Sequence, residues 1–192
     1  ERNNQKDKEI MGIKSKLKHT ISFLIHGEAK PIYANIHYLA PNEHLKGKKI
    51  VITGGGRGLG FAMAKKFVSE GAKVLIAGRN EQTLKQSASE INCLYLPLDV
   101  QDTTSFKEFI DKADQMLGGI NCLVNNAGIS LHEEGFLAVS PQQFDSQVGT
   151  NLRGCFFLTQ AFIEKCTETH LEETKNILFT SSETSMTVDE RP

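Results

Sequence analysis

TGGGRGLG, Thr53 to Gly60, stands between the β-branched run KIVIT, Lys49–Thr53, and a stretch with helical spacing. Glycines in such a place let the backbone turn tightly. They also let a pyrophosphate approach the free amides at the helix N-terminus. A glycine loop can equally be a plain tight turn. Here the strand before it, the helix after it and the βαβ unit around it supply the context a phosphate loop requires. The loop therefore reads as nucleotide-binding. About 20 residues further on, a carboxylate would mark a free ribose 2′-hydroxyl. IAGRN, Ile76 to Asn80, stands there without an acid. Gly78 removes bulk, and the planar fork of Arg79 suits a 2′-phosphate. Arg57, inside the glycine loop, would bring a second charge to the same phosphate. Either arginine alone could be an ordinary solvated side chain. Two of them beside an absent carboxylate point to a phosphorylated ribose.

The elements that must position these residues alternate. KVLIAG is a second strand and Thr83–Ile91 a second helix. CLYLPL is a third strand. Thr104–Met116 is a third helix, with Phe106, Phe109, Ile110, Ala113 and Met116 on its apolar side. INCLVNNAG is a fourth strand, Pro141–Thr169 one long helix, and NILFTSS a fifth strand. Short apolar strands between helices predict an α/β fold, a doubly wound parallel sheet of Rossmann type buried on both faces.

The spacing Thr53-Gly54, three residues, Gly58-Leu59-Gly60 resembles the TGxxxGxG loop of the short-chain dehydrogenase/reductase family. LDV (Leu98–Val100), NNAG (Asn125–Gly128), Asn151 in NLRGCFFLTQA and the pair Ser181-Ser182 follow in that family's order. The resemblance covers residues 47–192 and implies a role for each position. Gly54, Gly58 and Gly60, with Leu59, would cradle the pyrophosphate. The cofactor set also takes in Gly56, Arg57, Arg79 and Asn80. Asp99 would bond the adenine amino group beside Val100. Asn126, Ala127 and Gly128 would line the path from adenosine to nicotinamide, and Asn125 would tie strand to strand. Ser182 would polarise a substrate carbonyl. Asn151 would hold a water or backbone group in a proton relay, although a mid-helix Asn can simply bond a neighbouring carbonyl. With the two arginines, the expected cofactor is NADP(H). The expected reaction is hydride transfer between nicotinamide and a carbonyl or hydroxyl carbon of a small molecule. A 3-ketoacyl thioester is one common family substrate.

In the family a Tyr-x-x-x-Lys pair follows the serine by roughly a dozen residues, because the alkoxide left by hydride transfer needs a proton. Tyr33, Tyr38 and Tyr95 all precede the site, none with a Lys four residues on, and the sequence ends at Pro192. The expectation is the N-terminal part of a longer reductase, its sheet incomplete at the C-terminal end and Phe156, Phe157 and Phe162 short of apolar cover. The alternative is a non-catalytic nucleotide-binding or regulatory module.

Composition bounds the rest. At 192 residues and 39% hydrophobic, the chain suits one domain with a modest appendage. A net charge of −1 gives no case for nucleic acid. Residues 1–46 hold eight Lys/Arg against five Asp/Glu, and the remainder fourteen against eighteen. The boundary is placed at Leu45–Gly47. It separates an N-terminal extension, 1–46, from the Rossmann domain, 47–192. In the extension, Ile10, Ile13, Leu17, Ile21 and Leu24 predict a basic amphipathic helix that docks on protein rather than on a membrane. Four histidines in the same segment lack metal-ligand spacing. Cys93, Cys122, Cys155 and Cys166 show no CxxC pairing and read as free thiols. No metal, a cytoplasmic location and a homo-oligomer complete the expectation.

Overall fold

The computed structural model describes residues 42–130, 136–168 and 174–182. The amphipathic helix expected at Ile10–Leu24 lies outside them. Strands β1 (Lys49–Thr53), β2 (Lys73–Gly78), β3 (Leu94–Pro97), β4 (Cys122–Asn125) and β5 (Asn176–Phe179) form one sheet. Its order is β3-β2-β1-β4-β5, and every pairing is parallel. Helices α1 (Gly58–Ser69), α2 (Glu81–Ile91), α3 (Phe106–Leu117), α4 (Pro141–Val148) and α5 (Cys155–Glu168) connect the strands. The expected doubly wound sheet is present.

Period-two alternation divides β1 between two cores. Ile50 and Ile52 pack with Ala64 of α1 and with Leu84, Ala88 and Ile91 of α2. Val51, on the opposite face, joins Phe106, Phe109, Ile110, Ala113 and Leu117 of α3 and Leu158 and Phe162 of α5. β1 and β4 are central and buried, as continuous apolar runs in a parallel sheet should be. β3 and β5 are edges, and each is partly exposed. Asn121 joins the amino-terminal ends of the two central strands. Its Oδ1 accepts from Lys49 N (2.8 Å) and its Nδ2 donates to Gly47 O (3.1 Å).

Several elements differ from the sequence reading. β1 and β2 have the expected bounds, whereas β3, β4 and β5 are shorter than the runs CLYLPL, INCLVNNAG and NILFTSS. Ser182 consequently lies three residues past β5. A 3₁₀ turn, Thr103–Ser105, precedes α3, and Asp102 caps it through Thr104 N (3.1 Å). Met116 is exposed, and Leu117 fills the core position instead. The long helix is broken into α4, a π turn at Gly149–Gly154, and α5. A Cβ on Gly154 would lie 2.1 Å from Val100 O, so only glycine lets the chain dock there. The extra residue of a π turn re-aims side chains that a regular helix would space otherwise. Phe162, expected to lack cover, is buried. Phe156 is exposed, and Phe157 is partly so.

The four cysteines form no disulfide. Burial pushes the Cys93 thiol up to about 11 and raises those of Cys122, Cys155 and Cys166, which suits unreactive packing residues. No group of three or more His, Cys, Asp or Glu among the described residues could hold a metal. No helix among them is long and apolar enough to cross a membrane.

Candidate active site

Strand order reverses between β1 and β4, and the chain leaves these neighbours in opposite directions. A crevice opens there, at the carboxyl ends of the strands. It is a cleft of about 550 Å³.

Its floor is the glycine loop. Gly54 has a φ of +66°, and a Cβ there would lie 2.9 Å from Ala127 Cα. A Cβ on Gly60 would lie 2.3 Å from Gly54 O and 2.5 Å from Asn126 Nδ2. Gly58, at φ +57°, faces open space at the start of α1. The first turn of α1 carries no acid, so nothing in it neutralises the positive end of the helix dipole. Open glycine backbone at an unneutralised helix N-terminus fits a pyrophosphate. Ser87 of α2 steadies the loop by donating to Gly56 O (2.7 Å). A Cβ on Gly55 would strike Ile76 at 2.7 Å, which makes that glycine a packing requirement.

One wall follows β2 and β3. Arg79 and Asn80 follow β2, and Arg57 reaches the same cleft from the loop. Both arginines are exposed. Asn80 caps α2, its Oδ1 accepting from Thr83 N (2.8 Å), so that oxygen is already engaged. Asp99 and Val100 follow β3. Asp99 Oδ1 accepts from Gln101 N (3.0 Å). Among the described residues, Asp99 is the one acid that lines the cleft.

The opposite wall is the turn after β4. Thr53 Oγ1 accepts from both Asn126 N and Ala127 N (3.0 Å each) and donates to Val124 O (3.4 Å). Asn126 Nδ2 donates to Thr53 O (3.0 Å), and Asn126 Oδ1 accepts from Thr180 Oγ1 (3.2 Å). Asn126 therefore ties β1, β4 and the end of β5 together. The sequence reading gave that role to Asn125. Asn125 instead donates from Nδ2 to Thr159 Oγ1 of α5 (2.9 Å), joining strand to helix.

All thirteen residues expected to hold a cofactor line this cleft: Gly54, Gly56, Arg57, Gly58, Leu59, Gly60, Arg79, Asn80, Asp99, Val100, Asn126, Ala127 and Gly128. Ser182 and Asn151 do not. Ser182 lies beyond β5, at the same end of the sheet. Asn151, in the π turn, clamps the backbone of Ile129: Oδ1 accepts from Ile129 N (2.9 Å) and Nδ2 donates to Ile129 O (2.8 Å). That is backbone anchoring from a second element. The sequence reading missed Thr53, Thr83, Leu84, Ile129 and Thr150. Thr53 stood inside the motif itself. The others become visible only when helices and strands converge.

The sequence profile described as short chain dehydrogenase matches residues 48–190, and the chain belongs to that family. Among curated proteins, 2,5-dichloro-2,5-cyclohexadiene-1,4-diol dehydrogenase of Sphingobium indicum is 40% identical over 124 residues. The match covers 62% of this chain and 49% of that protein. An NADP-dependent (R)-specific alcohol dehydrogenase of Lentilactobacillus kefiri is 32% identical over 127 residues, 64% of this chain and 50% of that one. Among solved structures, a 3-ketoacyl-(acyl-carrier-protein) reductase from Brucella melitensis complexed with NADH superposes with a TM-score of 0.67 at 33% identity. It covers 73% of this chain and 59% of that chain. A short chain dehydrogenase from Burkholderia cenocepacia in complex with NADP also scores 0.67, at 27% identity, covering 75% and 59%. The chain spans about half the length of the curated relatives it matches.

Proposed function

We propose that these residues form the cofactor-binding part of an NADP(H)-dependent oxidoreductase acting on a small-molecule carbonyl or alcohol. When bound, the nicotinamide supplies or accepts the hydride. The glycine loop and the N-terminus of α1 hold the pyrophosphate. Asp99 and Val100 take the adenine, and Asn126 to Gly128 run beside the rest of the dinucleotide. Ser182 polarises the carbonyl oxygen. Asn151 keeps the turn after β4 in register with the π turn. The intact protein works as a cytoplasmic homo-oligomer on this reading, without nucleic acid or a membrane as partner.

The observation that carries the cofactor choice is the joint presence of Arg57 and Arg79 on the cleft, with no acid at the end of β2. Hydrogen bonds to charged groups contribute about 1.5–3 kcal/mol. Arg79→Asp should therefore weaken NADPH binding by roughly 10–100-fold and bring NADH to parity or better. Titration of the chain with both cofactors measures this. An unchanged NADPH affinity would show that Arg79 meets no phosphate.

A further inference from the structure

Thr150 is an uncharged polar side chain buried in the cleft wall, with only 6% of its surface exposed. It sits in the π turn, on neither of the loops that carry the sequence motifs. Its Oγ1 accepts from Gln101 Nε2 (2.8 Å). That amide also reaches Ser146 Oγ (3.4 Å), and the backbone N–H of Gln101 is held by Asp99 Oδ1 (3.0 Å). Gln101 thereby fixes the hydroxyl from the Asp99–Val100 side.

In this bond the hydroxyl oxygen is the acceptor, so its own proton must go elsewhere. A threonine within a helix commonly donates to the carbonyl four residues back. Thr150 makes no such bond, and its proton meets no acceptor among the described residues. A buried donor left unpaired is unfavourable, and native structures rarely leave one. The wall position offers a resolution, because a ligand in the cleft can supply the acceptor.

We infer that Thr150 is a ligand-binding residue of the cleft, its hydroxyl turned by Gln101 to donate to an oxygen or ring nitrogen of the adenosine half of the dinucleotide. The adenosine half is chosen because Gln101 ties Thr150 to the loop that takes the adenine. This assignment rests on the cofactor reading above. The hydroxyl would add a directional contact beside Asp99 and Val100.

Calorimetric titration of the wild-type chain, Thr150→Val and Thr150→Ser with NADPH and with adenosine 2′,5′-bisphosphate tests it. Valine keeps the shape and removes the donor, and serine restores the donor. Thr150→Val should weaken both ligands by about tenfold and by the same factor, and Thr150→Ser should bind within about twofold of wild type. Wild-type affinity in Thr150→Val overturns the inference. So does equal weakness in both variants, which would make the methyl group the cause. A loss confined to NADPH places the contact on the nicotinamide half and overturns it too. A wild-type chain that binds neither ligand overturns the cofactor reading itself, and this inference with it.

Discussion

Glu70 illustrates how one side chain couples folding to pH. It follows α1, is buried, and accepts from Lys66 Nζ (2.5 Å), with His44 Nε2 3.9 Å from its other oxygen. Its backbone carbonyl accepts from Leu45 N (2.8 Å), so it also ties the segment before β1 to the domain. The hydrogen bond from Lys66 holds the carboxyl below its ordinary value, aided by the charges of Lys66 and His44 and opposed by burial. A depressed folded pKa contributes stability above the unfolded pKa, and that stability is lost as pH falls through the folded value. Glu70→Gln should therefore melt below wild type at neutral pH. The gap should close on acidification past the ordinary carboxylate range, about pH 4. Thermal melts across that range check this, and a gap that widens in acid would refute the assignment.

Among the elements, the π turn at Gly149–Gly154 has the widest reach. Through Asn151 it grips the turn after β4, through Thr150 it meets Gln101, and through Gly154 it rests on Val100 O. Both cleft walls are set by this one segment. Glycine to alanine in an open helical position stabilises by up to about 1 kcal/mol. At Gly154 the added methyl would lie 2.1 Å from a carbonyl oxygen, and the backbone must move. Overpacking of this kind costs typically about 1–3 kcal/mol. Gly154→Ala should therefore lower the urea midpoint and also weaken dinucleotide binding, since the Val100 wall shifts with it. A raised midpoint would show that the turn yields at no cost.

Among the described residues, exposed apolar side chains gather on one stretch. Phe144, Leu152, Phe156 and Ile163 on the α4–α5 stretch are exposed, as are Leu178 and Phe179 on the edge strand β5. Phe156 and Phe157 meet edge to face at 5.2 Å, and Arg153 lies over the Phe157 ring at 5.4 Å. Exposed apolar surface beside an open parallel edge favours association. In sedimentation velocity the 192-residue chain should self-associate, and a Phe156→Glu, Ile163→Glu double variant should shift toward monomer. Monomeric wild type at tens of micromolar would contradict this. Phe162, next to Ile163 in the same helix, is buried with α3 and is no part of that face.

What the sequence determined by itself was local. Strand–helix alternation, the glycine loop and the missing acid after β2 are written in neighbouring residues, because turn geometry and strand burial constrain short windows. The thirteen residues expected to hold a cofactor, most of them assigned through the family resemblance, line one cleft. Tertiary structure decided the rest. Thr53 and Asn126 meet across 73 residues, Gln101 and Thr150 across 49. No window contains both members of either pair. The break in the long helix depends on Val100 lying under Gly154, and periodicity alone favours an unbroken helix there. The different partners of Asn125 and Asn126 follow from the period of two. Adjacent residues at a strand end point to opposite faces, so one asparagine meets α5 and the other meets the glycine loop.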